Sequence, residues 1–179
     1  MKLISTIVCS AGAVFASLWL PAVASATDVH CTSENGTDIT VIDGRTACRA
    51  ATDLLGQAKS LGIDGVGYAN ATAGAMAIGI GAAGGVGASD GAGGIPIAIG
   101  VGQDAIALSS IDHNQISANP GTPTIAVSVA LDGSRAGART ADRTVVCLGG
   151  GAFAWNSRTG DTCLSTPFGR WQTPVDQLP

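Results

Sequence analysis

The middle of the chain constrains it most. From Gly62 to Ala107, Gly and Ala alternate with Ile and Val, and a short phrase returns: Ala77-Ile78-Gly79-Ile80-Gly81 recurs as Ala98-Ile99-Gly100-Val101-Gly102. Alternation with period two marks a strand, and its repetition marks stacked strands. Small residues at every second place leave little room between layers, so a β-roll or solenoid is expected, with Ile and Val filling a narrow core. Gly weakens strands entropically, so neighbouring strands must pair well. A degenerate copy follows, in which Pro96 to Val101 matches Thr124 to Val129 at an offset of 28. Copies at 77, 98 and 126 lie 21 and 28 apart, which predicts a unit of seven residues: one short strand and a tight turn.

The same segment admits other readings. Gly79-Ile80-Gly81-Ala82-Ala83-Gly84 fits the dinucleotide motif G-x-G-x-x-G. That motif needs a helix opening at its third Gly, and Gly85-Val86-Gly87-Ala88 is a poor one. Ala71 to Ser89 carries no charge and is long enough to span a membrane as a helix. Its Gly81-x-x-x-Gly85 and Gly87-x-x-x-Gly91 spacings suit close helix packing, so a membrane-inserting glycine zipper is the alternative. A flexible linker would not need the periodic Ile and Val.

The N-terminus reads as an export signal. Lys2 supplies the charge, Leu3 to Leu20 the apolar stretch, and Ala24-Ser25-Ala26 the cleavage site. Cleavage after Ala26 removes Cys9 and leaves Cys31, Cys48, Cys147 and Cys163. An even number of cysteines in an exported chain implies disulfides. The local pairing, Cys31 with Cys48 and Cys147 with Cys163, is favoured over the crossed ones because each pair closes a short loop. No pair has the C-x-x-C spacing of a zinc site. A secreted or envelope-associated location follows.

Residues 27–164 form the expected domain, with the repeats over 62–109 and an extended tail over 165–179. Val29 to Thr32 and Thr37 to Ile42 read as a hairpin about Asn35-Gly36. Ala47, Ala50, Ala51, Leu54, Leu55, Ala58 and Leu61 recur at helical spacing, which predicts a helix capped by Gly62. Thr144 to Leu148 and Phe153 to Trp155 read as a C-terminal hairpin about Gly149-Gly150-Gly151. The fold class is therefore mainly β with one helix: an N-terminal hairpin and helix, a Gly/Ala-rich β-roll, a C-terminal hairpin and two disulfides.

Residues suited to chemistry are few and scattered. Without Lys2 the chain holds eight basic and 13 acidic residues. No basic stripe with aromatics is present, which argues against nucleic acid as a partner. Arg135, Arg139 and Arg143 are spaced by four but interleaved with Gly133 and Gly137, and read as a solvated loop. His30 abuts Cys31, and His113 sits in a polar loop near Ser109, Ser110 and Asp112 with no G-x-S-x-G elbow to support a hydrolase. Asp90, Asp104, Asp112 and Asp132 lie near strand ends without the calcium nonapeptide, and read as turn carboxylates. Trp155 and Trp171 suit packing or a sugar ring. No catalytic, metal-binding or cofactor-binding residue is assigned.

The repeats Ala77-Ile78-Gly79 and Ala98-Ile99-Gly100, with Ala105-Ile106-Ala107-Leu108 downstream, resemble head repeats of trimeric autotransporter adhesins. That resemblance covers Ala75 to Ser109 and implies a left-handed parallel β-roll that binds surfaces; the stalk and membrane barrel of that family are lacking. Taken whole, the signal, the block from Cys31 to Cys48 and the Gly-rich middle resemble small exported actinobacterial proteins of unknown function. The expected function is a non-enzymatic structural or surface-binding module, adhesin-like, with a small secreted hydrolase as a weaker alternative. Its partner would be a cell-surface or envelope component, and a homo-oligomer is compatible with the repeats.

Overall fold

The computed structural model describes residues 27–112 and 122–173. These residues form fifteen strands and no helix. The strands are β1 (Asp28–Glu34), β2 (Asp38–Asp43), β3 (Thr46–Thr52), β4 (Gln57–Ile63), β5 (Val66–Thr72), β6 (Met76–Ala82), β7 (Val86–Ala92), β8 (Ile95–Val101), β9 (Ile106–Ile111), β10 (Ile125–Leu131), β11 (Arg135–Arg139), β12 (Thr144–Leu148), β13 (Ala152–Asn156), β14 (Thr162–Thr166) and β15 (Gly169–Gln172). The signal and His113 lie outside the described residues.

From β3 to β11, consecutive strands alternate between two sheets and rise one rung at a time. Sheet A runs β1-β4-β6-β8-β10-β13-β14-β15, and sheet B runs β12-β11-β9-β7-β5-β3-β2. The result is a β-solenoid of about three turns. The pairing is parallel: Ile78 faces Ile97 in sheet A, and Val66 faces Val86 in sheet B. One coil is therefore 19 or 20 residues, each half a seven-residue strand and a short turn. This corrects the expected offsets of 21 and 28. Ile97 pairs Val127 across the longer connection, and Gly79 pairs Ala98. A slip of two residues keeps every side chain on its face, so period-two alternation cannot fix the register.

Both ends of the coil are closed by antiparallel strands. β1 lies on β4 and β2 on β3; at the other end β12 lies on β11 and β13 on β10. The expected hairpins are corrected accordingly. Asn35 and Gly36 do turn the chain with positive φ, 55° and 77°. However, β1 and β2 enter opposite sheets, so the turn is an arch rather than a hairpin. The same holds for β12 and β13 about Gly149 to Gly151. The true hairpins are β2–β3, β11–β12, β13–β14 and β14–β15. Ser165 and Thr166 complete β14, and β15 follows. Arg135 and Arg139, expected in a loop, delimit β11 and point outward.

The interior reverses the expected packing. In β6, Ala77, Gly79 and Gly81 are buried while Ile78 and Ile80 lie outside; in β8, Pro96, Ala98 and Gly100 are buried beneath Ile97 and Ile99. Ile and Val do not fill the middle of the stack. Ala, Gly, Ser and Cys do, because the sheets stand close there; the larger buried side chains, among them Val29, Thr46, Ile111, Thr140, Val145 and Asn156, lie in the end strands or beside strand ends. A Cβ on Gly79 would collide with the Tyr68 carbonyl oxygen, and one on Gly81 with that of Val66. The expected helix is corrected for the same reason. Ala is both a good helix former and the filler of this core, so inward Ala50 and Ala58, the exposed Leu54 and Leu55 of a turn, and outward Leu61 imitate a helical stripe. Gly62 is no cap; it is buried in β4. The segment Ala71 to Ser89 is likewise strand, and no helix among the described residues is long and apolar enough to cross a membrane.

Two disulfides bridge the sheets at the ends of the stack. Cys31 of β1 joins Cys48 of β3, and Cys147 of β12 joins Cys163 of β14, with Cα separations of 5.8 and 5.9 Å. The local pairing holds, and each of these four sulfurs is bonded to another cysteine. Each bond ties an edge strand, β1 or β12, to the strand next to the edge of the opposite sheet, β3 or β14. In the chain-entropy picture a loop of this length contributes roughly 3 kcal/mol. That matters in a core whose Ala methyls bury little area each.

Candidate functional site

A solenoid that keeps its small residues inside carries its large ones outside. The outer face of sheet A is apolar over many strands. The register aligns Leu61, Ile80, Ile99, Val129, Phe153, Leu164 and Trp171 in one row. Ile78, Ile97, Val127 and Trp155 form the next. Trp155 is half-buried among these neighbours and Trp171 is 55 % exposed. Lys59 is the one charged side chain among the outward positions of β4, β6, β8, β10, β13 and β14.

Sheet B carries a different chemistry. One row across it reads Arg49, Tyr68, Ala88, Leu108, Gly137 and Val146. The row beside it reads Ala51, Asn70, Asp90, Ser110, Arg139 and Thr144. Small Ala88 between Tyr68 and Leu108 opens a groove of about 300 Å³, lined also by Asp90, Ser110 and Arg139. Several of these groups are held in place. Asn70 Nδ2 donates to Asp90 Oδ1 at 2.8 Å. Arg139 pairs with Asp142 at 3.1 Å. Arg49 donates to both Asp38 carboxylate oxygens, at 3.1 and 2.7 Å, and its guanidinium carbon stands 5.9 Å from the Tyr68 ring centroid. The hydrogen bonds between Asp38 and Arg49 lower the pKa of the former and raise that of the latter. An aromatic and an aliphatic wall beside a carboxylate, a hydroxyl and a guanidinium suit a ligand with one apolar face and a polar rim.

Of the residues singled out in the sequence, Asp90, Ser110 and Arg139 meet on the groove, and the others are not brought together into a site. Ser109 is buried inside the solenoid, its Oγ 2.6 Å from the Ile97 carbonyl oxygen and 2.9 Å from Ser128 Oγ. Ser110 is outside, on the groove. Asp112 is exposed at the end of β9, and His30 points outward from β1. Asp104 and Asp132 lie in turns, and Asp90 on a sheet face; no group of three or more metal-ligating side chains is found among the described residues. Sequence reasoning missed the groove. The signal was an offset of 20, at which Asn70, Asp90 and Ser110 fall into line.

A family of unknown function, DUF6764, matches residues 1–166. The chain belongs to it. No curated protein and no solved structure matches. The two disulfides of the DUF6764 chain fit an oxidising, extracytoplasmic environment.

Proposed function

We propose that this DUF6764 protein is exported after cleavage of its N-terminal signal and acts there as a non-enzymatic, adhesin-like binding module. The solenoid is the rigid support, and the sheet B groove is the contact surface. One observation carries the reading: the groove side chains come from strands β5, β7, β9 and β11, stacked in register, and present an aromatic wall beside a polar row. That combination suits a saccharide ring of the envelope, with its C–H face on Tyr68 and its hydroxyls toward Asp90, Ser110 and Arg139.

The test is a titration of the labelled, oxidised protein onto isolated cell envelope and immobilised envelope polysaccharide. Saturable binding is expected, weakened tenfold or more by Tyr68→Ala and by Arg139→Ala. Binding that ignores both changes overturns the groove. Turnover of the polysaccharide by the wild-type protein overturns the non-enzymatic reading.

A further inference from the structure

The outer face of sheet A is too apolar and too large to belong to a solitary surface. Monomers leave contiguous apolar patches of roughly 300–600 Å². Leaving out β1, whose outward Asp28, His30, Thr32 and Glu34 are polar, the seven strands from β4 to β15, each about 4.8 Å wide with about six residues rising about 3.3 Å, span roughly 34 by 20 Å, or about 670 Å² in plan. Side chains that would fill a core in most β proteins, such as Ile80, Ile99 and Val129, here stand outside their own sheet. They have the form of one half of a sandwich core that lacks its second sheet.

We infer that the missing layer is the sheet A face of a second copy of this chain. Three observations favour that occupant. Two such faces together remove roughly 1,300 Å² from water, within the span of stable specific interfaces. Rows of β-branched residues at strand spacing match a second identical set, so two copies related by a two-fold axis can interdigitate as aligned sheets do. The charge also fits. The face carries Lys59 as its one charge over β4 to β14, while β1 at its edge adds outward Asp28, His30, Thr32 and Glu34. A lipid surface rich in anionic headgroups would select a basic rim, whereas an uncharged twin demands none. Sheet B, with Arg49, Asp90, Arg135 and Arg139 outward, is excluded as the partner face by its charges. In the dimer the two sheet B faces point away from each other, so two grooves are offered at once and binding to a repetitive surface gains avidity.

The measurement is light scattering with sedimentation velocity on the oxidised protein, as exported by its expression host and kept free of detergent. A mass of two chains is expected at micromolar concentration. Ile99→Glu should give a monomer with unchanged circular dichroism and both disulfides intact, while Leu108→Glu on sheet B should leave the dimer whole. A wild-type monomer overturns the inference, as does a trimer, which an isologous face cannot close. A dimer that survives Ile99→Glu but splits with Leu108→Glu overturns it too. Flotation of a monomeric wild type with anionic phospholipid vesicles would assign the face to lipid instead. None of these outcomes depends on whether the groove binds a saccharide.

Discussion

The inside and the outside of this solenoid obey opposite rules. Inside, residues 77, 79 and 81 of β6 are Ala, Gly and Gly; outside, 78 and 80 are Ile. In most proteins bulk points inward because burial of apolar area drives folding. Here close approach of the sheets wins. It brings two hydrogen-bonded ladders together with no space between, and leaves the bulk for surfaces that meet something else. The comparison breaks most sharply at its tightest point. Gly79→Val should cost about 3 kcal/mol or more, because the obstructing atom is a backbone carbonyl of the opposite sheet and cannot swing aside. Leu108→Ala, which removes as many carbons as Gly79→Val adds but at a position 50 % exposed on sheet B, should cost about 1 kcal/mol. Thermal melts of the two variants would decide it; equal losses would mean that the outside is as tightly packed as the core.

The ends differ from the middle in a second way. The middle rungs are held by parallel neighbours above and below, while each end is capped by antiparallel strands tied in by one disulfide, β1 to β3 and β12 to β14. Reducing both bonds, or changing each pair to Ala, should therefore lower stability by roughly 3 kcal/mol per bond. The effect should begin at the ends. Hydrogen exchange in the Cys31 and Cys48 double variant is expected to rise in β1 to β3 while β6 to β9 stay protected. Uniform loss of protection would show that the stack melts as a single unit.

Much of this was legible in sequence and some was not, for stateable reasons. Strand alternation, the turn at Asn35-Gly36 and the disulfide pairing depend on local spacing, and local spacing is what a sequence displays. Which face is inside was hidden, because an alternating strand has two faces and the usual guide, bulk, points the wrong way at Ile78 and Ile97. Whether a turn makes a hairpin or an arch was hidden at Gly36, where both need the same positive φ. The register of Gly79 with Ala98 was hidden because a two-residue slip costs nothing in pattern. The groove was invisible because Tyr68 and Arg139 meet only after that register is set. Helical spacing from Ala47 to Leu61 is a coincidence that an Ala-filled core makes easy.

Turns sharpen the comparison further, since they hold the two layers at their separation. Asp53 joins successive coils: its carboxylate accepts from the backbone N–H groups of Leu55 at 2.9 Å, Gly56 at 2.7 Å and Ala73 at 2.6 Å. These bonds, led by that from Ala73, hold its pKa below the ordinary carboxylate range. A depressed carboxylate pKa contributes stability that is complete above the unfolded value and lost as pH falls through the folded one. The wild-type melting temperature should thus fall on acidification below about pH 4. Asp53→Asn should lower it at neutral pH and flatten that part of the profile. A variant with the wild-type acid dependence would place the sensitivity elsewhere.

The smallest effect lies in the two turns where Ala holds a left-handed backbone. Ala73 and Ala83 have φ of 51° each, and each precedes a Gly that is also left-handed. At Gly93-Gly94 the equivalent turn uses Gly at both places. An L-residue in this region costs roughly 1–2 kcal/mol, and Gly there gives back part of that gain as entropy lost on folding. Ala83→Gly should accordingly stabilise by about 0.5 kcal/mol, the reverse of its effect inside a strand. Ala77→Gly, at a buried place in β6, provides the contrast: the same exchange should destabilise by about 1 kcal/mol or less. Opposite signs in two denaturation curves would show that the turns, and not the strands, carry the backbone strain of the coil; equal signs would show that composition alone sets it.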